Sequence, residues 1–207
     1  MKPKLQAAES RFGRCYRVLY ESVCGRHPDL RPWHSQWLGT RKLYAFLRLQ
    51  LPVIAGGAER TILDAGFGDK PYQAWFGAVR EYVCLDIYPG SAVHFVIGPD
   101  DQWPFEDERF DVVFCAQVLE HAADPRHTVS EIRRTLKRDG RVVVSVPFLY
   151  NEHGAPLDFT RFTTHGLRRL FAGWEFELVE IQGGIGSTMA ILFLNWWDQA
   201  LTRALSR

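Results

Sequence analysis

The stretch that most constrains this chain is Thr61-Ile62-Leu63-Asp64 running into Ala65-Gly66-Phe67-Gly68. A short apolar run of this kind reads as a buried strand. Two glycines one residue apart at its end let the backbone turn tightly and come close to a ligand. An acid, Asp64, stands two positions ahead of the first glycine. A second apolar run, residues 82–85, ends in Asp86, 22 positions after Asp64. A carboxylate there can accept two hydrogen bonds from a ribose diol. Alone, Asp86 would be a turn residue ahead of Tyr88-Pro89-Gly90. Behind a glycine turn it reads as a nucleotide contact.

The rest of the chain repeats the theme. Strands are expected at 93–97, 110–114, 141–146 and 175–181. Helices are expected at 71–79, at 125–138 with Val129, Ile132 and Leu136 on one face and Gly140 closing it, and at 164–172 with Leu167, Leu170 and Phe171 inward. Upstream, 5–24 reads as a helix with Cys15, Val18, Leu19 and Val23 on one face. A second helix starts at Thr40 as N-cap, carries Leu43, Phe46 and Leu47 inward, and is closed by Pro52 and Gly56-Gly57. Continuous apolar strands alternating with helices imply an α/β fold, a doubly wound and mainly parallel sheet covered on both faces. The expected organisation is an N-terminal helical cap over 1–57, a ligand-binding domain over 58–184 and an apolar C-terminal helix over 185–207.

Composition supports a folded globular chain: 46% of the 207 residues are hydrophobic and 24% charged, which excludes long-range disorder. The net charge of +1 is split, with 1–60 carrying 11 basic and 4 acidic residues and the remainder the opposite excess. The basic part suits an anionic partner or is a solvated helix face. The four cysteines, Cys15, Cys24, Cys84 and Cys115, show no CxxC spacing and no histidine at zinc spacing, so no metal is expected. The chain reads as reduced and cytoplasmic, with no leader peptide. The apolar run 189–194 is too short to span a bilayer.

A dinucleotide turn wants a third small residue and a helix start on a pyrophosphate. Lys70-Pro71 stands there instead, and Asp64 with Asp69 places negative charge beside the ligand. That repels a pyrophosphate and suits a cationic ligand. From about Thr61 to Phe176 the chain resembles the class I S-adenosylmethionine (SAM)-dependent methyltransferases, in particular the type 11 group. The marks are Ile62-Leu63-Asp64-Ala65-Gly66-Phe67-Gly68, then Leu85-Asp86, Pro104-Phe105-Glu106-Asp107, Phe110-Asp111-Val112-Val113, Gln117-Val118-Leu119-Glu120-His121, and Leu136-Lys137-Arg138-Asp139-Gly140-Arg141.

The resemblance implies that Asp64 and the backbone of Ala65, Gly66, Phe67 and Gly68 hold the methionine end of SAM. It implies that Asp86 binds the ribose, that Ile87 lines the adenine, and that Asp100 or Asp101 lies near the adenine amino group. Cys115, Ala116 and Gln117 would border the sulfonium. It also implies a closing antiparallel strand, which Gly183, Gly184 and Gly186 leave without a place. His121 is a candidate base or acceptor contact, held otherwise by local hydrogen bonds. In the polar, turn-rich 151–161 stretch, His153, Asp158 and Arg161 either meet the acceptor or pair among themselves to shape a lid. Residues 185–205 pack on their own domain, pair two copies, or lie peripherally on a membrane.

The function that follows is methyl transfer to an unidentified small-molecule or lipid/glycan-type acceptor. The alternatives are a non-catalytic SAM-binding protein and an NAD(P)-binding oxidoreductase, the second disfavoured by Asp64, Lys70 and the missing G-x-G-x-x-G. Nucleic acid is disfavoured as a substrate because no Asn/Asp-Pro-Pro-aromatic motif for a flipped base is present.

Overall fold

The computed structural model describes residues 11–25, 28–34, 36–66, 68 and 72–205, with side chains within 18–200. The three runs read as buried strands lie at its centre. β1 (Thr61–Ala65) and β4 (Phe110–Ala116) are buried at every position, and β2 (Glu81–Asp86) at all but its first. Together with β3 (Phe95–Val96) and β5 (Leu136–Ser145) they form one parallel sheet in the order β3-β2-β1-β4-β5. The chain winds outward from β1 to β3, then restarts on the other side with β4. The seam between β1 and β4 is therefore a topological switch point, and the crevice beyond the carboxyl ends of these strands is where such sheets bind ligands.

Helices cover both faces. On one side α2 (Trp37–Ala55) buries Tyr44, Leu47, Leu51 and Ala55 against Ile62, Cys84, Val112 and Phe114. On the other, α3 (Pro125–Thr135) and α4 (Thr164–Leu170) bring Val129, Ile132 and the following Phe171 onto Leu63, Val83, Val113 and Cys115. Asp124 caps α3 by accepting from the Arg126 N–H, with Pro125 next to it in the first turn. The α/β doubly wound architecture thus follows the expectation.

Several local expectations are overturned. Of the helix expected at 71–79, the described residues 72–79 hold only a 3-10 turn at Gln73–Trp75. Its aromatic residues pack on neighbours instead of forming a helix face: Tyr72 meets Phe114 edge-on and Trp75 meets Tyr44. Helix α2 begins ahead of Thr40, whose hydroxyl donates back to the Gln36 carbonyl within the first turn and is no cap. It also runs through Pro52 and stops at Gly56, which takes φ +69°. Gly140 does not close α3, which ends at Thr135. It falls inside β5, where the register against β4 shifts between the Phe110–Leu136 and Val112–Arg141 pairs.

The sixth strand is absent among the described residues. Residues 175–181 carry no strand, and Leu178, Val179 and Ile181 are exposed. This segment stands off from β5 and leaves a cavity of about 1470 Å³ walled by α2, β5 and 174–184. The helix α1 (Arg11–Cys24) buries Cys24 but turns Val18, Leu19 and Val23 to solvent, against the expected inward face, and the Cys15 side chain lies outside the described residues. The tail is the expected helix, α5 (Ile185–Leu205), packed on α2 with Ile191 close to Gly39. Ile185, Met189, Phe193 and Trp196 form an exposed stripe on it. No described helix is long and apolar enough to cross a membrane. Cys24, Cys84 and Cys115 are free and buried.

Candidate active site

Two strand ends and two loops build the site. At the end of β1 the chain turns at Gly66, whose φ is +79°. A Cβ there would lie 2.2 Å from Val118 Cγ2, so glycine is required for both conformation and space. Gly68 has φ +52°, and no described residue comes within 4 Å of where its Cβ would be. Phe67, like Asp69 and Lys70, lies outside the described residues.

Asp86 ends β2 and reaches across to this turn. Its Oδ2 accepts from the Gly68 N–H at 2.8 Å and its Oδ1 from the Tyr88 N–H at 2.9 Å. Each oxygen keeps acceptor capacity, so the carboxylate is fixed in place yet able to take a diol. Asp64 is less direct. It is buried, and its Oδ2 accepts from the Tyr82 hydroxyl beneath the turn. Burial, then the Asp64 charge, push the Tyr82 phenol far above its ordinary range, so it stays a donor. Ile87 is half-buried beside Asp86. Asp101 accepts from the Gly98 N–H at 2.7 Å and so shapes the turn after β3, whereas Asp100 is exposed at the same end.

At the end of β4, Cys115 and Ala116 are buried within the sheet, so contact from them is by backbone. Burial raises the Cys115 thiol well above its usual range. Gln117 alone of the three reaches the crevice. It takes φ +59°, uncommon for a non-glycine residue, and is held by its N–H donating to Ser145 O at 2.8 Å. Such strained residues cluster at functional sites.

His121 and His153, far apart in sequence, come together with ring centroids 4.7 Å apart and both line the cavity. Gly154 makes this approach feasible: a Cβ on it would sit 3.1 Å from His121 Cε1. The 151–161 loop is anchored on the end of β4, because the Phe159 and Thr160 N–H groups donate to Glu120 O. Asp158 and Arg161 pair with each other, at 2.6 and 2.7 Å, and Asp158 also accepts from the His153 N–H. The Arg161 hydrogen bonds, opposed by burial, hold the Asp158 carboxyl well below the usual carboxylate range. Of the two roles open to this pair, shaping the loop is the one observed. Burial lowers His153, so its ring is neutral at neutral pH. The tail helix joins in: the Asn195 amide donates to Asn151 Oδ1 at 2.8 Å.

One residue escaped sequence reasoning. Glu120 is fully buried, with Oε1 3.9 Å from His121 Nε2. The signal was its adjacency to His121, but an exposed helix-start acid has the same sequence. Among the described residues the cavity reaches toward the ends of β1 and β4 at Tyr72, Gln117 and His121, and otherwise lies toward β5 and the tail. The glycine turn and the cavity are therefore neighbouring compartments.

Residues 63–144 match the family described as a methyltransferase domain. The uncharacterized methyltransferase YcgJ of Bacillus subtilis is 39% identical over 130 residues, covering 55% of this chain and 49% of YcgJ. The chain spans about half the length of the curated relatives it matches. Among solved structures, the 1,6-didemethyltoxoflavin-N1-methyltransferase of Burkholderia thailandensis superposes with a TM-score of 0.52 at 20% identity, covering 82% of this chain and 80% of that one, and was solved with S-adenosylhomocysteine bound. The cyclase SpnF gives the same TM-score at 17% identity, covering 78% of this chain and 71% of its own. Both similarities speak for the fold alone.

Proposed function

The chain carries a class I SAM-dependent methyltransferase domain, and from that premise we propose that it transfers a methyl group from SAM to a small-molecule or lipid/glycan-type acceptor. The observation that carries the reading is Asp86, pinned by the Gly68 and Tyr88 N–H groups at the carboxyl end of β2, one strand from the switch point, beside room at Gly68 that no described residue fills. The residues present fit SAM: a glycine-lined crevice, a fixed carboxylate for a ribose, and acidic rather than basic surroundings for a cationic ligand.

When bound, SAM supplies an activated methyl whose bond to sulfur breaks as the acceptor's lone pair forms the new bond, leaving a neutral thioether. The task left to the protein is alignment and exclusion of water. The backbone of Gly66 and Gly68 would hold the methionine end of the cofactor, Asp86 would fix the ribose, and Gln117 would close the seam toward the acceptor. His121 and His153 stand on the acceptor side. The Nδ1 of His121 lies at the Leu157 carbonyl and that of His153 at the Asn151 carbonyl, which favours the lone pair on Nε2 of each ring. Apolar walls from α2 and β5 suit an acceptor with an apolar part.

Calorimetric titration with S-adenosylhomocysteine and with NAD tests the reading. Binding of the first, lost in Asp86→Ala, supports it. Binding of NAD instead overturns it. The cyclase with the same fold shows that fold and reaction are separable. A radiolabelled methyl transfer assay against hydroxylated and amine acceptors then separates an enzyme from a SAM-binding protein.

A further inference from the structure

We propose that Glu120, His121 and His153 form a binding site for one divalent transition-metal cation, open toward the large cavity. A donor atom from each of the three lies within 4.8 Å of the others. They come from the turn that follows β4 and from the 151–161 loop, and Gly154 lets the loop close onto the His121 ring. The arrangement is thus built by the fold and is no accident of neighbouring sequence.

The outer contacts fix the chemistry of the rings. A backbone carbonyl only accepts, so the Leu157 carbonyl places the His121 proton on Nδ1, and at His153 the Asn151 carbonyl at 3.2 Å favours the same tautomer over the longer 3.5 Å approach of the Arg161 guanidinium. Nε2 then carries the lone pair. This Nδ1–H to carbonyl contact is the support that metal-ligating histidines receive. Two imidazoles and a carboxylate gathered within 4.8 Å of one another form a donor set that one cation can bridge. The Asp158–Arg161 pair holds the His153 backbone, so the loop ligand is preorganised.

Two nitrogens and one carboxylate oxygen suit zinc, iron or nickel better than magnesium, which prefers an all-oxygen set. An ion about 2.1 Å from each donor needs them about 3–3.5 Å apart, so the loop closes by a little over ~1 Å on binding. Both rings line the cavity, which leaves the remaining coordination positions facing it. Three protein ligands with open positions is the arrangement of a catalytic rather than a structural site. Such an ion acidifies a hydroxyl, which selects a hydroxyl-bearing acceptor and makes oxygen the methylated atom. This last step rests on the methyltransferase reading, whereas binding of the ion does not.

The test uses the full chain, stripped with chelator and titrated with Co²⁺, whose visible absorption reports its ligands, and in parallel with Zn²⁺ by calorimetry. The expected result is one ion per chain. His121→Gln and His153→Gln each weaken it by more than about 100-fold, beyond the 10–100-fold that loss of an outer partner causes, while His165→Gln has no effect. Retained S-adenosylhomocysteine binding in the His153→Gln protein confirms that it is folded. No binding of either ion at millimolar concentration, or binding unchanged in both histidine variants, overturns the site. S-adenosylhomocysteine binding without metal binding sinks the metal site alone, and metal binding without S-adenosylhomocysteine binding sinks the methyltransferase reading alone.

Discussion

Two aspartates at opposite ends of the same sheet are used in opposite ways. Asp111, near the amino end of β4, takes hydrogen bonds from the Arg60 guanidinium, the Thr61 N–H and hydroxyl, and the Lys137 ammonium, all within 2.9 Å. Burial alone would raise its carboxyl, but the Lys137, Thr61 and Arg60 hydrogen bonds hold it well below the usual range. Asp86, at the carboxyl end of β2, takes two backbone N–H groups. The first is saturated by cations and ties β1, β4 and β5 together where they enter the sheet. The second is oriented but left with acceptor capacity where the strands leave it. Stability is concentrated at one end and the proposed ligand site at the other, separated by about 17 Å of strand.

The largest test of this division is Gly66→Ala, which violates both ends of the bargain at once. The positive φ and the 2.2 Å approach to Val118 should together cost about 3 kcal/mol or more of stability and abolish cofactor binding. An unchanged melting temperature would show that the turn tolerates a side chain. Asp86→Ala comes next. Affinity for S-adenosylhomocysteine should fall by about 1.5–3 kcal/mol, roughly 10- to 150-fold, with thermal stability nearly unchanged. Unaltered affinity in calorimetry removes Asp86 from the site.

Asp111→Asn is its mirror image. It should lower stability by about 1–3 kcal/mol and leave cofactor affinity intact, as urea unfolding and calorimetry would report. Because the folded carboxyl titrates below its unfolded value of about 3.9, its contribution is complete above that pH and is lost as pH falls toward the folded value. Wild-type stability should therefore drop more steeply than that of Asp111→Asn between about pH 4 and pH 2; parallel slopes would refute the assignment. The smallest effect is expected from Asn195→Ala, about 0.5–1.5 kcal/mol. It should appear mainly as faster amide exchange in the 151–161 loop, and uniform exchange across the chain would argue that the tail does not hold the loop.

The comparison also explains what could be read from the chain. β1, β2 and β4 were legible because a strand buried on both faces is apolar without interruption, a property of its own residues. The position of Asp86, at the carboxyl end of a strand and facing the glycine turn, was legible from its place behind such a run. Residues 175–181 were not, because Phe176-Glu177-Leu178 alternates like a strand while strand formation needs a free neighbouring edge at the right distance. That is a tertiary fact. Tyr72, Trp75 and Phe76 mimic helical spacing, yet they fill the gap between α2 and β4 from a single turn. Glu120 and His153 were visible as letters, but only the loop closing over Gly154 shows that they meet.

The buried thiols turn the sheet into its own clock. Cys84, in β2, is pushed up to about 12 by burial and then by Asp64, so as a folded-state thiol it carries almost no thiolate at neutral pH. Cys115 is more secluded still. With Cys15 replaced by serine, iodoacetamide labelling should therefore be limited by how often each element opens, not by chemistry. Cys24 at the end of α1 should label first and Cys115, in the strand at the switch point, last. A saturating ligand in the crevice should slow Cys84 and Cys115 while leaving Cys24 unaffected. Labelling rates would then map, residue by residue, how far the grip of the bound cofactor extends into the sheet.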